Sequence, residues 1–174
     1  MRVTRVVVVG GANVDVVARP AASDGAATSN PGTVTVTAGG VGRNIAEVLA
    51  RLGTPTSLVS AVGGDPHGDL VVEASTDAGV DLTHLHQVDG ATGTYVALLD
   101  TAGELVAGVS DMAGAVLQPG DLPLSLLRRA DLVVLDGNLR ADTLAAALDA
   151  AGSVPVALDP VSVPKACLLR SASG

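Results

Sequence analysis

Four consecutive β-branched residues, Val6-Val7-Val8-Val9, form an unbroken apolar run that stops at Gly10-Gly11. A run with no polar face predicts a strand covered on both sides within a parallel sheet. Ser57–Val62 reads as the next buried strand, Asp131–Leu135 is again an apolar strand, and Val154–Leu158 is a further strand ending at Asp159-Pro160. Thr33-Val34-Thr35-Val36-Thr37 instead alternates at every residue, which predicts a strand with one polar and one apolar face. Such a strand does not belong in the same buried sheet, so a second, smaller sheet is expected. Thr92–Asp100 and Glu104–Val109, joined by Thr101-Ala102-Gly103, predict a hairpin that extends it.

Helical spacing appears between the strands. Ile45, Val48, Leu49 and Leu52 fall on one face, and Gly53 supplies a stop. A helix over about residues 67–78 ends at Gly79, and Asp142–Ala151 is stopped by Gly152. The stretch from Arg19 to Gly32 reads as loop. Buried strands alternating with helices define an α/β fold with a largely parallel sheet. Asn13, Asp15, Asp136, Asn138 and Asp159 all follow strand ends. In open α/β sheets the ligand crevice lies outside the carboxyl ends of the strands, where such side chains would face it.

Composition narrows the partners. With 48% hydrophobic and 16% charged residues in 174, the chain is a folded domain and not a disordered one. Ten Lys+Arg against 18 Asp+Glu, a net charge of −8, argue against a nucleic-acid backbone or an anionic membrane as partner. Tyr95 is the sole aromatic, so no base-stacking platform is available. Val6–Val9 is too short to cross a bilayer, and no cleavage pattern follows it. One cysteine, Cys167, allows no internal disulfide and fits a reducing compartment, so a cytoplasmic location is expected.

The strongest local signal is Gly39-Gly40-Val41-Gly42-Arg43-Asn44 at the start of a helix. Closely spaced glycines let a ligand approach the backbone at a helix N-terminus, although a plain loop-to-helix turn has the same look. No Gly-Lys-Ser/Thr follows and no G-x-G-x-x-G is present, which disfavours a Walker A loop and a dinucleotide site. Asn13 and Asp15, two apart on an extended segment, point the same way. They could grip vicinal hydroxyls or could cap a turn. His84-x-His86 lacks a third ligand cluster and reads as surface loop, His67 reads as structural, and no metal ligand is named. Gly63-Gly64-Asp65 fits a strand-to-helix connection better than a catalytic turn, and no Ser-His-Asp arrangement is present.

Three segments together resemble a known family: Val7–Asp15, Ala38-Gly39-Gly40-Val41-Gly42-Arg43-Asn44-Ile45-Ala46 through Gly53, and Ala61-Val62-Gly63-Gly64-Asp65-Pro66-His67-Gly68. They resemble the ribokinase-like (PfkB-type) carbohydrate kinases, over about Val6 to Lys165. Ser29-Asn30-Pro31-Gly32, Ser110-Asp111-Met112 and Asp159-Pro160-Val161-Ser162 are most similar to the pseudouridine kinases of that family. The resemblance implies a Rossmann-like α/β/α fold with a small β-sheet lid, its segments about 33–37 and 92–109 inserted in the core. It implies transfer of the ATP γ-phosphoryl group to a sugar hydroxyl, the 5′ hydroxyl for pseudouridine, with Mg²⁺ accompanying ATP. Asp15 and Asn13 would hold sugar hydroxyls, Gly39, Gly40 and Asn44 would contact the sugar, and Asn138 would add a polar contact. The lid would exclude water and can carry homodimer contacts.

The sequence also departs from the family. Members are about twice this length, and their second signature, Gly-Ala-Gly-Asp, is absent here; Ala113-Gly114-Ala115 and Thr101-Ala102-Gly103-Glu104 are the nearest strings. In the family that aspartate is the general base, so no catalytic residue is assigned to this chain. Residues 1–174 are therefore expected to form a single incomplete kinase domain, the C-terminal half missing. A non-catalytic sugar- or nucleoside-binding module, and half of a split kinase completed by a C-terminal chain, are the alternatives. An exposed edge at Val154–Leu158 would make the isolated chain poorly soluble, partly molten or oligomeric.

Overall fold

The computed structural model describes residues 5–22 and 28–162; Cys167 and the chain after Ser162 lie outside them. Strand β1 (Val6–Val9) is the centre of a parallel sheet, with β4 (Thr56–Gly63) on one side and β8 (Leu132–Asp136) on the other. Beyond them pair β5 (Leu85–Val88) and β9 (Val156–Asp159), giving the order β5-β4-β1-β8-β9. The unbroken valine run follows from this placement. Val7 and Val9 pack with Leu127, Leu144 and Ala147 on one face, while Val6 and Val8 pack with Ala46 and Leu58 on the other. Successive residues of a strand point to opposite faces, so only an all-apolar run satisfies both.

Helices α1 (Val41–Arg51) and α2 (Pro66–Asp77) cover one face, and α3 (Leu124–Leu127) and α4 (Ala141–Ala151) the other. Gly79 and Gly152, just past α2 and α4, have φ of 83° and 59°, the left-handed backbone that ends a helix. The stop after α1 at Gly53 is of the same kind, φ 82°. The buried face of α1 differs from the expected one. Gly42, Arg43 and Ala46 turn inward, Ile45 and Leu49 are half-buried, and Val48 and Leu52 are 56% and 76% exposed. The cause is a backbone contact: a Cβ on Gly42 would stand 2.7 Å from the Gly10 Cα, so only a glycine edge of α1 can sit against the end of β1. That contact fixes the rotation of the helix and carries Val48 and Leu52 outward.

The second sheet is β3-β2-β6-β7, built from β2 (Asn13–Pro20), β3 (Gly32–Gly39), β6 (Thr94–Leu99) and β7 (Leu105–Asp111). The expected hairpin is β6-β7, antiparallel from Thr94↔Asp111 to Leu99↔Leu105 with a register shift at Leu98/Leu99. The loop expected from Arg19 begins two residues late, because Arg19 and Pro20 still pair with Thr33 and Gly32. Val14, Val16 and Ala38 pack on Val62 and Val71, so α2 covers the base of this sheet. Farther out, Val34, Val36, Val96, Leu98 and Val109 are exposed: the apolar face is present as the alternation implies, and nothing among the described residues covers it. Strand β5, α3 and the 3₁₀ turn Pro119–Asp121 have no counterpart in the sequence reading. In β9, Val156 and Leu158 are partly exposed.

Gly42→Ala is expected to lower stability by about 1–3 kcal/mol, because backbone and not a flexible side chain must yield. Gly120→Ala, with no atom within 4 Å of the added Cβ, serves as the neutral control. Urea midpoints of the two variants make the comparison.

Candidate functional site

A cleft of about 690 Å³ opens between the second sheet and the carboxyl ends of β1, β4 and β8. The chain runs outward from β1 through β4 to β5, then returns to the opposite side at β8. The cleft therefore lies where the strand order reverses, the general position for a ligand in such a sheet.

Its floor is organised by Asp136, fully buried at the end of β8. The carboxylate accepts the Gly11 N–H through Oδ2 at 2.9 Å and the Asn138 N–H through Oδ1 at 2.8 Å. One side chain thus holds both the exit from β1 and the turn after β8. Gly10 must be glycine here, since a Cβ would stand 2.6 Å from the Asp136 Cβ. Asp136 consequently works inside the protein scaffold, although it also borders the cleft.

Asn13 and Asp15 lie on β2 with one residue between them, and the Asn13 Nδ2 donates to the Asp15 Oδ1 at 2.8 Å. The other carboxylate oxygen lies directly over Gly39, where a Cβ would come within 2.3 Å of Oδ2. Gly40 adopts φ 97°, and a Cβ there would meet the Gly11 carbonyl at 2.5 Å. The two glycines therefore serve different ends, one making room for the Asp15 carboxylate and the other passing close to the β1 exit at the start of α1. Asn13, Asp15, Gly40, Asn44 and Asn138 line the cleft, while Gly39 is buried behind Asp15.

Register adds residues that the sequence reading did not place at the site, although Ser110-Asp111-Met112 carried part of the family resemblance. Asp15 stands opposite Thr37 on one side and Tyr95 on the other, and Tyr95 stands opposite Ser110. Neighbours in such a row share a face, and Asp15, Tyr95 and Ser110 line the cleft together with Met112 and Gly93. The lone aromatic is thus part of the site. The end of its ring passes over Gly108, where a Cβ would be 2.7 Å from the hydroxyl. The available signal was weak: an aromatic in an alternating strand, and Ser110 and Met112 two apart, with a parallel pairing to β2 that is not local in sequence.

The remaining candidates have structural partners. The His67 Nδ1 is 3.2 Å from the Thr94 hydroxyl and the His86 Nε2 is 3.0 Å from the Asp121 carbonyl. No group of three His, Cys, Asp or Glu side chains among the described residues is arranged to hold a metal ion.

The pfkB family carbohydrate kinase pattern matches residues 3–170. The chain belongs to that family. It is 39% identical to a pseudouridine kinase of Escherichia coli (strain K12) over 173 residues, 95% of this chain and 54% of that protein. Among solved structures, a carbohydrate kinase from Agrobacterium tumefaciens superposes with a TM-score of 0.87 at 33% identity, covering 97% of this chain and 57% of the other. The ribokinase of Arabidopsis thaliana, solved with ribose and ATP, superposes with a TM-score of 0.78 at 30% identity, covering 91% and 54%. The chain spans about half the length of the relatives it matches. Its parallel sheet, helical layers and second sheet are those of a ribokinase-type kinase, and that second sheet is the lid.

In this kinase fold the Gly63-Gly64-Asp65 turn is a joint between lid and core. Asp65 caps α2 by accepting the Gly68 N–H at 2.8 Å, and it also accepts the Thr92 N–H at 2.8 Å and the Thr92 hydroxyl at 2.7 Å. The buried Thr92 Oγ1 in turn accepts the Gly63 N–H at 2.8 Å, just ahead of β6. Hydrogen bonds from the Thr92 backbone, then the Gly68 backbone and the Thr92 hydroxyl, pull the Asp65 carboxyl down to about 2. A depressed carboxyl contributes stability that is complete above its ordinary pKa of about 4 and disappears as pH falls towards about 2. Asp65→Ala is therefore expected to cost about 1–2 kcal/mol at pH 7. The gap to wild type should narrow between about pH 4 and 2, read as urea midpoints across that range.

Proposed function

We propose that this chain is the acceptor-binding part of an ATP-dependent kinase that phosphorylates pseudouridine to pseudouridine 5′-phosphate. The observation that carries the reading is the convergence of Asn13, Asp15 and Asn44 on one cleft beneath the lid, in a chain similar to pseudouridine kinases. Asp15 offers a carboxylate oxygen as an acceptor for a ribose hydroxyl, with Asn13 holding the other oxygen. Gly40 lets the sugar approach the backbone at the start of α1, and Asn138 adds a polar contact from the far wall. Gly39 supports Asp15 from behind. Closing the lid over the sugar would shield the acceptor hydroxyl from water, which competes for the phosphoryl group.

ATP, with Mg²⁺, is the donor in this reading, and the cytoplasm is the compartment that supplies it. The described residues offer no ligand set for that metal, and the sequence holds no Gly-Ala-Gly-Asp turn, so no transfer step is assigned to residues here. The missing turn favours a second reading for the chain by itself, binding without turnover, completed in a kinase by residues like those of its longer relatives. The exposed Val34, Val36, Val96, Leu98 and Val109 on the outer face of the lid support a homodimer formed through these strands.

Calorimetry with the 174-residue chain is expected to show binding of pseudouridine in preference to adenosine. Asp15→Ala should weaken it about tenfold or more, the worth of a hydrogen bond to a charged group. With ATP and Mg²⁺ present, ADP release should not exceed the rate without acceptor. Absence of pseudouridine binding would overturn the proposal, and pseudouridine-dependent ADP release would overturn the binding-only reading.

A further inference from the structure

Arg43 is a cation placed where a helix normally buries an apolar side chain, 5% exposed at the inner face of α1. Its three nitrogens go to three different acceptors. Nε donates to the Gly39 carbonyl at 3.0 Å, Nη1 to the Glu47 carboxylate at 2.6 Å, and Nη2 to the Asn44 Oδ1 at 2.5 Å. The Arg43 backbone N–H adds a bond to the Gly11 carbonyl at 3.1 Å. A guanidinium has five donors and no acceptor, so the Asn44 atom facing it must be the carbonyl oxygen. The amide NH₂ is then the end of Asn44 left to the cleft, which that residue lines. Glu47 holds the opposite side of the fork, and Arg51 bonds its second oxygen at 2.8 Å. Hydrogen bonds from Arg43 and then Arg51 keep the Glu47 carboxyl below its usual range, so it remains charged as a counterion.

We propose that Arg43 is a positioning residue that sets the polarity of the acceptor site: it fixes Asn44 as a hydrogen-bond donor and holds Gly39 beneath Asp15. The cleft then presents an acceptor, the Asp15 carboxylate on β2, and a donor, the Asn44 NH₂ on α1, and the guanidinium ties α1 to Gly39 at the end of β3, the strand paired with β2. A ribose hydroxyl both donates and accepts, so this pair matches a vicinal diol, whereas a deoxy analogue leaves one member unpaired. The inference rests on the acceptor-binding reading above. It goes beyond that reading by assigning the direction of the Asn44 contact and the residue responsible for it.

The experiment is calorimetry of the 174-residue chain with pseudouridine, 2′-deoxypseudouridine and 3′-deoxypseudouridine, using wild type, Arg43→Met and Arg43→Lys, each first checked for a cooperative thermal transition. In wild type at least one deoxy analogue is expected to bind about tenfold more weakly. Arg43→Met should lower affinity for pseudouridine while leaving the weak deoxy affinity unchanged, bringing the ratio to within about twofold of unity. Arg43→Lys, with one nitrogen in place of a fork, should fall between. General loosening of the fold would weaken all three ligands alike and preserve the ratio. A wild-type ratio in Arg43→Met overturns the proposal, as does a wild-type ratio in Arg43→Lys where the methionine variant does not fold. A wild-type chain that binds none of the three overturns the acceptor-site reading, and this inference with it. One that binds them without discrimination overturns this inference alone.

Discussion

At Gly10 the exit of β1 passes so close to the start of α1 and the end of β8 that no side chain fits between them. A Cβ there would meet the Asp136 Cβ at 2.6 Å and the Gly42 Cα at 2.9 Å. The rest of the cleft depends on this constraint. It sets the rotation of α1, and therefore which residues of the glycine-rich segment look into the cleft and which look into the core. It also brings the buried Asp136 carboxylate within reach of the Gly11 N–H. The polypeptide leaving a central strand is thereby steered into β2 and the lid. Close backbone packing of this sort does not stretch, so the spacing between Asp15 on β2 and Asn44 on α1 is inherited from the core and not set by a mobile loop.

The parts of the fold that were legible in the sequence are those governed by local periodicity. Val6–Val9 could only be a doubly covered strand, and Thr33–Thr37 only a strand of a different sheet; both stand as such. Asn13 and Asp15 share a face for the same elementary reason, and their hydrogen bond follows from it. What periodicity could not supply was non-local. Ile45, Val48, Leu49 and Leu52 make a sound amphipathic face, yet the helix turns Arg43 and Ala46 inward because Gly42 must meet Gly10. Asp136 looked like one more polar residue after a strand. Its burial arises from two N–H groups, on Gly11 and Asn138, the first more than a hundred residues away in the chain. Tyr95 entered the site through a parallel pairing with β2 that no turn signal announces.

The lid makes a single set of strands serve two opposed surfaces. Along β2, Asn13 and Asp15 turn to the cleft while Val14 and Val16 turn to α2. Along β7 and just past its end, Ser110 and Met112 line the cleft, while Val109 is exposed on the other face. Alternation at period two is the only pattern that lets one layer of chain carry a polar interior and an apolar exterior. The lid therefore cannot be thickened without losing one of its surfaces, and its attachment to the core has to come from its ends. Asp65 and Thr92 provide one such end, a set of short hydrogen bonds tying the segment just ahead of the β6-β7 hairpin to the N-terminus of α2.

Charge placement completes the same economy. Arg43 and Asp136 are both buried charges near the cleft, but their hydrogen bonds turn mainly to the protein, to Gly39, Asn44 and Glu47 in one case and to Gly11 and Asn138 in the other. A buried charge is tolerable only when its donors or acceptors are matched, and a matched one acts as a rigid clamp on whatever it binds. Asp15, by contrast, has one oxygen engaged by Asn13 and stands on the cleft wall. The site thus divides its charged groups between those that hold geometry and Asp15, which faces the cleft. The proposed acceptor, a small polar molecule with neighbouring hydroxyls, would exploit that division, because it needs fixed directions of hydrogen bonding more than it needs strong attraction.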